Sequence, residues 1–211
     1  MTILLFFAAF LLGSIPTGLI IARGKGIDLK KVGSGNIGAT NVMRAAGKKE
    51  ALFTLLGDIG KGLLSVAIAQ ALPRFGFSAS EILPMSISTN PQAAFEGLLG
   101  LAAILGHNFS VFLRFKGGKG VATSLGVVLA YSPAAGLFTA VLWLLTALWT
   151  KYSSLSALVA FGLLPISIYA LDPSPVKEAV AVVIAALIFF RHAANIKRLM
   201  QRTEDKIGLK G

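Results

Sequence analysis

Three stretches of this chain gather residue types suited to holding an anion. The first is Gly33-Ser34-Gly35-Asn36-Ile37-Gly38-Ala39-Thr40-Asn41, followed by Arg44. Its glycines let successive backbone N–H groups converge on one point, and Ser34, Asn36, Thr40 and Asn41 add hydroxyl and amide donors around it. Arg44 supplies a planar charged fork that matches phosphate oxygens. The plainer reading of these residues is a flexible connector, with Asn41 capping the next helix.

The second stretch is Gly106-His107-Asn108, then Arg114-Phe115-Lys116-Gly117-Gly118-Lys119-Gly120-Val121-Ala122-Thr123. A glycine-rich turn that delivers Lys119 to the start of a helix places an ammonium, free N–H groups and the positive end of the helix dipole together. It is not a nucleotide-binding P-loop, because Leu113 stands where the first glycine belongs and Gly120 replaces the Ser or Thr after the lysine. The plainer reading is an interfacial basic loop for lipid headgroups, which needs the charges but not the double glycine. The third stretch is Arg191-His192-Ala193-Ala194-Asn195-Ile196-Lys197-Arg198. His192 and Asn195 are three apart and share a helical face, flanked by Arg191 and Arg198. Lys206 and Lys210 read as charge that only sets membrane orientation.

Other chemistries find less support. With two histidines, no cysteine and few acids near the three clusters, no usual metal-ligand set is present, and no metal is expected. The absence of cysteine also excludes disulfides and a thiolate nucleophile. No acid lies near either histidine in sequence, so a Ser-His-Asp triad has no local signal. Nucleic acid is a poor partner, since the three Tyr and two Trp lie mostly within apolar runs rather than among basic residues.

The elements that position these clusters must be membrane helices. Of 211 residues, 55% are hydrophobic and 14% charged, and the mean hydropathy is +0.77. A soluble globule does not have that balance. The net charge of +11 leaves the water-facing surface strongly basic, suited to phosphates or anionic lipid. Seven apolar segments approach the length needed to cross a bilayer, at 2–22, 51–72, 93–107, 120–131, 134–150, 154–171 and 176–190. The segments 93–107 and 120–131 are short enough to be tilted or half-spanning helices.

Connector charge sets the expected orientation. With the N-terminus outside, the inner connectors 23–50, 108–119, 151–153 and 191–211 carry 17 of the 20 basic residues. The positive-inside rule therefore predicts N-terminus out and C-terminus in, which puts all three clusters on one side. Residues 3–12 lack a preceding basic residue and a following small-x-small site, so they are expected to be retained rather than cleaved. Gly13, Ser14, Pro16 and Gly18 interrupt the first span, and a proline frees a carbonyl that neighbours must satisfy; a bend is expected there. The outer connector 73–92 reads as a plain exposed loop. Asp58 and Lys61, one turn apart within a span, should pair with each other or face a polar interior, either as a helix-packing ion pair or as part of the lining of the site. The fold class is an all-α, polytopic helix bundle of about seven transmembrane helices, forming one domain over 1–211.

Taken together, the three clusters resemble the bacterial acyl-phosphate:glycerol-3-phosphate acyltransferase family, an integral inner-membrane enzyme. The resemblance rests on an ordered set: Ser-Gly-Asn-x-Gly-Ala-Thr-Asn-x-x-Arg at 34–44, Gly-His at 106–107 with Phe-Lys-Gly-Gly-Lys-Gly-Val-Ala-Thr at 115–123, and Arg-His-x-x-Asn-Ile-x-Arg-Leu at 191–199 with Glu204. The outer loop 78–91 looks longer than the family's usual one. The resemblance implies transfer of a fatty acyl group from acyl phosphate to the 1-hydroxyl of sn-glycerol 3-phosphate, giving lysophosphatidic acid and phosphate, without a cofactor, on the cytoplasmic side of the inner membrane.

On this resemblance Ser34, Arg44, Lys119, His192 and Asn195 act in catalysis. Gly35, Asn36, Thr40, Asn41, His107, Lys116, Gly117, Gly118 and Arg191 bind substrate. Lys119 is the main charge contact of glycerol 3-phosphate, and Gly117 and Gly118 allow close backbone approach. The acyl chain is expected in a groove between spans. Because acyl phosphate carries a good leaving group, a substrate phosphate oxygen is expected to take the hydroxyl proton; the competing mechanism makes His192 the base. A transporter or channel for a small phosphorylated anion is the alternative from another class, and it predicts polar residues continuing to the outer side. A CDP-alcohol transferase resembles the chain less, since no clustered aspartates are present.

Overall fold

The computed structural model describes residues 2–81 and 90–208, and every regular element among them is helical. The bundle begins with α1 (Thr2–Ser14) and α2 (Thr17–Arg23), then α3 (Ala39–Ala46), α4 (Lys48–Ala71) and α5 (Pro91–Asn108). It continues with α6 (Val121–Tyr131), α7 (Pro133–Thr150), α8 (Ser153–Gly162), α9 (Leu164–Leu171), α10 (Pro175–Arg191) and α11 (Ala193–Met200). Short 3-10 turns at Leu72–Phe75 and Ala79–Glu81 give the outer connector more structure than the plain loop expected from its prolines. Pro84, most of the long outer loop and Lys210 lie outside the described residues.

Length and composition qualify four helical stretches to cross a membrane: Thr2–Arg23, Lys48–Phe75, Pro91–Leu113 and Pro133–Thr150. Two bent pairs would add two more, α8 with α9 at 41° and α10 with α11 at 62°. Pro165 lies in the first turn of α9 and cannot continue the α8 hydrogen-bond ladder, which accounts for the first bend. Segment 93–107 belongs to a helix long enough to span. Segment 120–131 is an 11-residue helix, about 16 Å long against a hydrocarbon core of about 30 Å. Large apolar side chains such as Ile3, Leu56, Leu145, Trp149 and Phe190 stay exposed around the bundle, as lipid-facing positions require.

The break in the first span falls at Ile15 and Pro16, where the interrupted glycine and proline pattern put it. The carbonyls freed there find donors from α4 and from the loop after α5. Lys61 Nζ donates to the Ile15 oxygen at 2.5 Å, and Ser110 Oγ donates to the Ser14 oxygen at 2.5 Å. Helices approach most closely through glycine. A Cβ at Gly62 would strike the Thr123 carbonyl and one at Gly126 the Ile59 carbonyl, so α4 and α6 meet backbone to backbone. In the same way Gly13 and Gly106 seat α1 on α5. In lipid, where apolar burial does not favour one helix contact over another, such small-residue packing is the main source of association. The apolar core includes Ile104, Val127, Phe161, Leu164, Ile184 and Ile188.

Candidate active site

The first cluster folds into a loop held from within. Gly33 and Gly35 adopt φ of 55° and 68°, a region that side chains disfavour, and they fold the chain back on itself. Asn41 does not cap α3; Gly38 is the cap, and Asn41 lies in the first turn with its side chain reaching back. Its Nδ2 donates to the carbonyls of Leu29, Val32 and Asn36 at 3.3, 3.1 and 2.8 Å. Its Oδ1 accepts the Ser34 N–H at 3.1 Å, so the side chain fixes the loop backbone. Asn36 Oδ1 accepts the Gly38 N–H at 3.2 Å, and the Thr40 hydroxyl meets Ser153 Oγ at 3.0 Å.

The second cluster is a turn laid against the end of α5. The Gly118 N–H donates to the His107 carbonyl at 3.0 Å. A Cβ at Gly117 would collide with the His107 carbonyl, and one at Gly118 with His107 Nε2. The double glycine thus serves close approach of the turn to the chain's own helix. From the other side Arg191 Nε and Nη2 donate to the Gly118 carbonyl at 3.0 and 2.8 Å, and Nη2 also to the Gly117 carbonyl at 3.1 Å. Gly120, at φ 80°, caps α6, so Lys119 sits immediately before a helix N-terminus.

The third cluster straddles a bend. His192 is both the end of α10 and the cap of α11, and Asn195 follows in the first turn of α11. His192 Nδ1 lies 2.7 Å from the Ile188 carbonyl, which can only accept. Nδ1 therefore carries the proton and Nε2 presents the lone pair. Glu204 ties this region together: its Oε1 accepts from Ser154 Oγ and Asn195 Nδ2, both at 2.6 Å, and its Oε2 accepts from Arg198 Nε at 2.7 Å. Burial opposes ionisation of Glu204, but the bonds from Ser154, Asn195 and Arg198 outweigh it and hold the carboxyl below its ordinary value.

All three clusters open into one cavity of about 570 Å³. Its polar lining includes Ser34, Asn36, Thr40, Asn41, Arg44, His107, Lys119, His192 and Asn195. Its apolar lining includes Leu52 and Leu55 of α4, Leu125 of α6, Trp143 of α7 and Phe161 of α8. Along α8 the wall runs from Ser153 to Phe161, about 12 Å at 1.5 Å per residue. Gly35, Lys116, Gly117, Gly118 and Arg191 are not among the lining residues; Lys116 is exposed, and Arg191 is engaged with the turn. Ser153 and Ser154 line the cavity although no pattern in the sequence marked them; Asp58, Arg198 of the third cluster and Glu204 of the resemblance motif line it too. Serines 153 and 154 open α8 after a two-residue connector, Lys151 and Tyr152, which reads locally as an ordinary helix start.

Arg44 Nη2 donates to the carbonyls of Asp205 and Lys206 at 3.3 and 3.1 Å, and Nη1 lies 3.6 Å from Asp205 Oδ2. Lys119 forms no hydrogen bond or ion pair with the other described residues. Burial pushes its ammonium down to about 8; Arg198, Arg191 and Arg44 act in the same direction, against Glu204. A half-buried cation among guanidinium groups at a helix N-terminus suits an anion. Among the described residues no group of three or more His, Cys, Asp or Glu is placed to hold a metal ion.

Known proteins share this arrangement. The family profile described as glycerol-3-phosphate acyltransferase matches residues 3–202. The chain belongs to the glycerol-3-phosphate acyltransferase family. A glycerol-3-phosphate acyltransferase of Agrobacterium fabrum is 46% identical over 204 residues, covering 96% of this chain and 90% of the relative. One of Geotalea daltonii is 42% identical over 205 residues, covering 96% of both chains. Among solved structures, PlsY, an integral membrane glycerol 3-phosphate acyltransferase, superposes in its glycerol 3-phosphate form with a TM-score of 0.84 at 40% identity, covering 98% of this chain and 96% of that one. Its lysophosphatidic acid form superposes with a TM-score of 0.82. The chain is thus a membrane-integral acyltransferase of phospholipid synthesis, and the transporter reading falls.

Proposed function

We propose that this cavity moves a fatty acyl group from acyl phosphate to the 1-hydroxyl of sn-glycerol 3-phosphate, at the cytoplasmic face of the bacterial inner membrane. The observation that carries the reading is one cavity lined both by a half-buried ammonium with no hydrogen-bond partner among the described residues and by apolar side chains of α4, α6, α7 and α8. A phosphorylated polyol fits the first and a fatty chain the second. The relatives' names and the ligands of the solved PlsY structures support the same pair of chemistries.

In the reaction, the glycerol hydroxyl oxygen attacks the acyl carbonyl carbon, the bond from that carbon to the phosphate oxygen breaks, and inorganic phosphate leaves. The hydroxyl proton passes to a substrate phosphate oxygen. Lys119, Arg44 and the N–H groups at the start of α6 stabilise the developing negative charge. Ser34, Asn36 and Thr40 orient phosphate, while His192 Nε2 and Asn195 hold the glycerol hydroxyls. The test is acyl transfer to labelled glycerol 3-phosphate by detergent-purified protein with chelator present. Product from acyl phosphate but not from acyl-CoA supports the donor; product from acyl-CoA alone, or a need for metal, refutes it.

Two further outcomes discriminate the chemistry. His192→Gln keeps a hydrogen-bonding side chain but no base, and it is expected to retain kcat within about tenfold and an unchanged pH profile. A fall of several orders of magnitude would make His192 the base. The kcat/KM for glycerol 3-phosphate is expected to fall as pH rises through about 8, where Lys119 in the free enzyme loses its charge. Lys119→Arg, whose charge persists, should remove that alkaline limb whatever its residual rate.

Seven membrane segments, the short α6 among them, with the N-terminus outside and the C-terminus inside, account for the charge of the connectors and for the common side of the three clusters. This chain has no cysteine, so single cysteines introduced at Lys48 and Arg74 report on sidedness directly. In intact cells a membrane-impermeant maleimide should label position 74 and spare position 48; the reverse pattern inverts the orientation.

A further inference from the structure

Asp58 and Lys61 lie deep in α4, 2% and 4% exposed. Lys61 Nζ is 2.6 Å from Asp58 Oδ1 and donates to the Ile15 carbonyl, and the Thr17 hydroxyl donates to the same carboxylate oxygen. Those contacts alone would make a packing ion pair that closes the break between α1 and α2. A buried ion pair is poor evidence for stability, because apolar residues of similar volume do as well or better. Its presence in a span therefore calls for a second role.

Two observations supply one. Asp58 borders the reaction cavity, and its Oδ1 lies 3.7 Å from Nδ1 of buried His107, an imidazole nitrogen with no hydrogen-bond partner among the described residues. The opposite nitrogen of that ring, Nε2, occupies the space where a side chain on Gly118 would stand, and the His107 carbonyl accepts the Gly118 N–H. The imidazole is thus sandwiched between a fixed carboxylate and the turn that carries Lys119.

We propose that Asp58 is a positioning residue for the acyl transfer: fixed by Lys61 and Thr17, its carboxylate holds the His107 ring on which the Gly117–Gly118 turn is seated, and so sets where the Lys119 ammonium stands in the cavity. The inference rests on the reading of Lys119 as a phosphate ligand. Lys61 serves by neutralising and orienting Asp58, and Arg191 completes the seat by gripping the turn from the far side.

The test separates positioning from charge balance. Asp58→Asn alone leaves Lys61 as an uncompensated buried cation and is expected to lose both thermal stability and activity. The double variant D58N/K61M removes both charges. It is expected to recover stability in detergent, yet to keep a KM for glycerol 3-phosphate raised about tenfold or more, with the KM for acyl phosphate within about twofold of wild type. If the double variant restores every kinetic constant to within twofold, the pair serves stability alone and the inference is overturned. Should neither variant be recovered folded, His107→Gln reads the same contact from the other side: a raised KM for glycerol 3-phosphate supports the inference and an unchanged one overturns it. Lys119→Met is measured in parallel. A wild-type KM in that variant would sink the assignment of Lys119 itself, whereas loss in Lys119→Met with none in D58N/K61M sinks only the role of Asp58.

Discussion

Lys119→Met is expected to lower kcat/KM for glycerol 3-phosphate by about a thousandfold, with little loss of folded protein. Removing one preorganised donor at a developing oxyanion costs about a hundred- to a thousandfold in other acyl-transfer sites, and in the proposed reaction the donor is also the main charge contact of a substrate phosphate. Methionine has nearly the same length and no charge, so packing along the stem is kept. Stability should rise slightly if it changes at all, because the ammonium has no hydrogen-bond or ion-pair partner among the described residues and is held by burial below its ordinary value. Steady-state kinetics in both substrates together with a thermal melt give the answer. A loss confined to stability, with normal kinetics in the folded fraction, would remove Lys119 from the site.

Glu204→Gln should lower kcat by at least about a hundredfold although the residue touches no reacting atom in this scheme. The wild-type carboxylate accepts three side-chain donors, from Ser154, Asn195 and Arg198. Glutamine turns one of its two acceptor atoms into a donor, so either Arg198 or the Ser154–Asn195 pair faces another N–H group. A buried donor left without a partner costs about 1–3 kcal/mol, and a displacement of about 1 Å in a positioning group is enough for a hundredfold loss in rate. Asn195 and the segment carrying Asp205 and Ile207, both on the cavity wall, would shift together. The pH dependence of stability gives an independent reading. Because Glu204 is held below its ordinary carboxyl value of 4.5, its contribution is complete above that value and disappears as the pH falls through the lower, folded one. The variant should lack that acid-side loss. Equal acid sensitivity in both proteins would show that Glu204 is not the hub the hydrogen bonds describe.

Much of the site was legible because anion binding needs residue types that a membrane chain otherwise avoids. Ser34, Arg44, Lys119, His192 and Asn195 stand out against apolar spans, and all five line the cavity. Arg191 and Gly117–Gly118 were singled out for the same reason, yet the cavity wall omits them; the guanidinium is engaged with the turn, and the glycines fit the turn to His107. A motif reports that glycine or arginine is needed at a position, but not whether its partner is a ligand or another part of the chain. Asn41 illustrates the point, since four hydrogen bonds to loop backbone absorb a side chain that composition offered as a donor to the anion. Asp58 shows the converse. Its sequence neighbourhood pointed to Lys61, and its approach to His107 joins residues 49 positions apart.

Hydropathy, glycine spacing and the distribution of lysine and arginine were sufficient to mark the solvent of this protein, its helical class, the break at Pro16 and the three clusters whose residues line the cavity. These are properties of short stretches, set by transfer free energies and local backbone sterics, and each stretch carries its own signal. The assembly of the clusters around one cavity, the seating of the Lys119 turn between His107 and Arg191, and the meeting of Ser154, Asn195 and Arg198 at Glu204 depend on how the helices pack. Packing is decided by backbone approach at glycines such as Gly62 and Gly126 and by donors that reach across helices, and these pairings between distant residues leave no periodic mark along the chain.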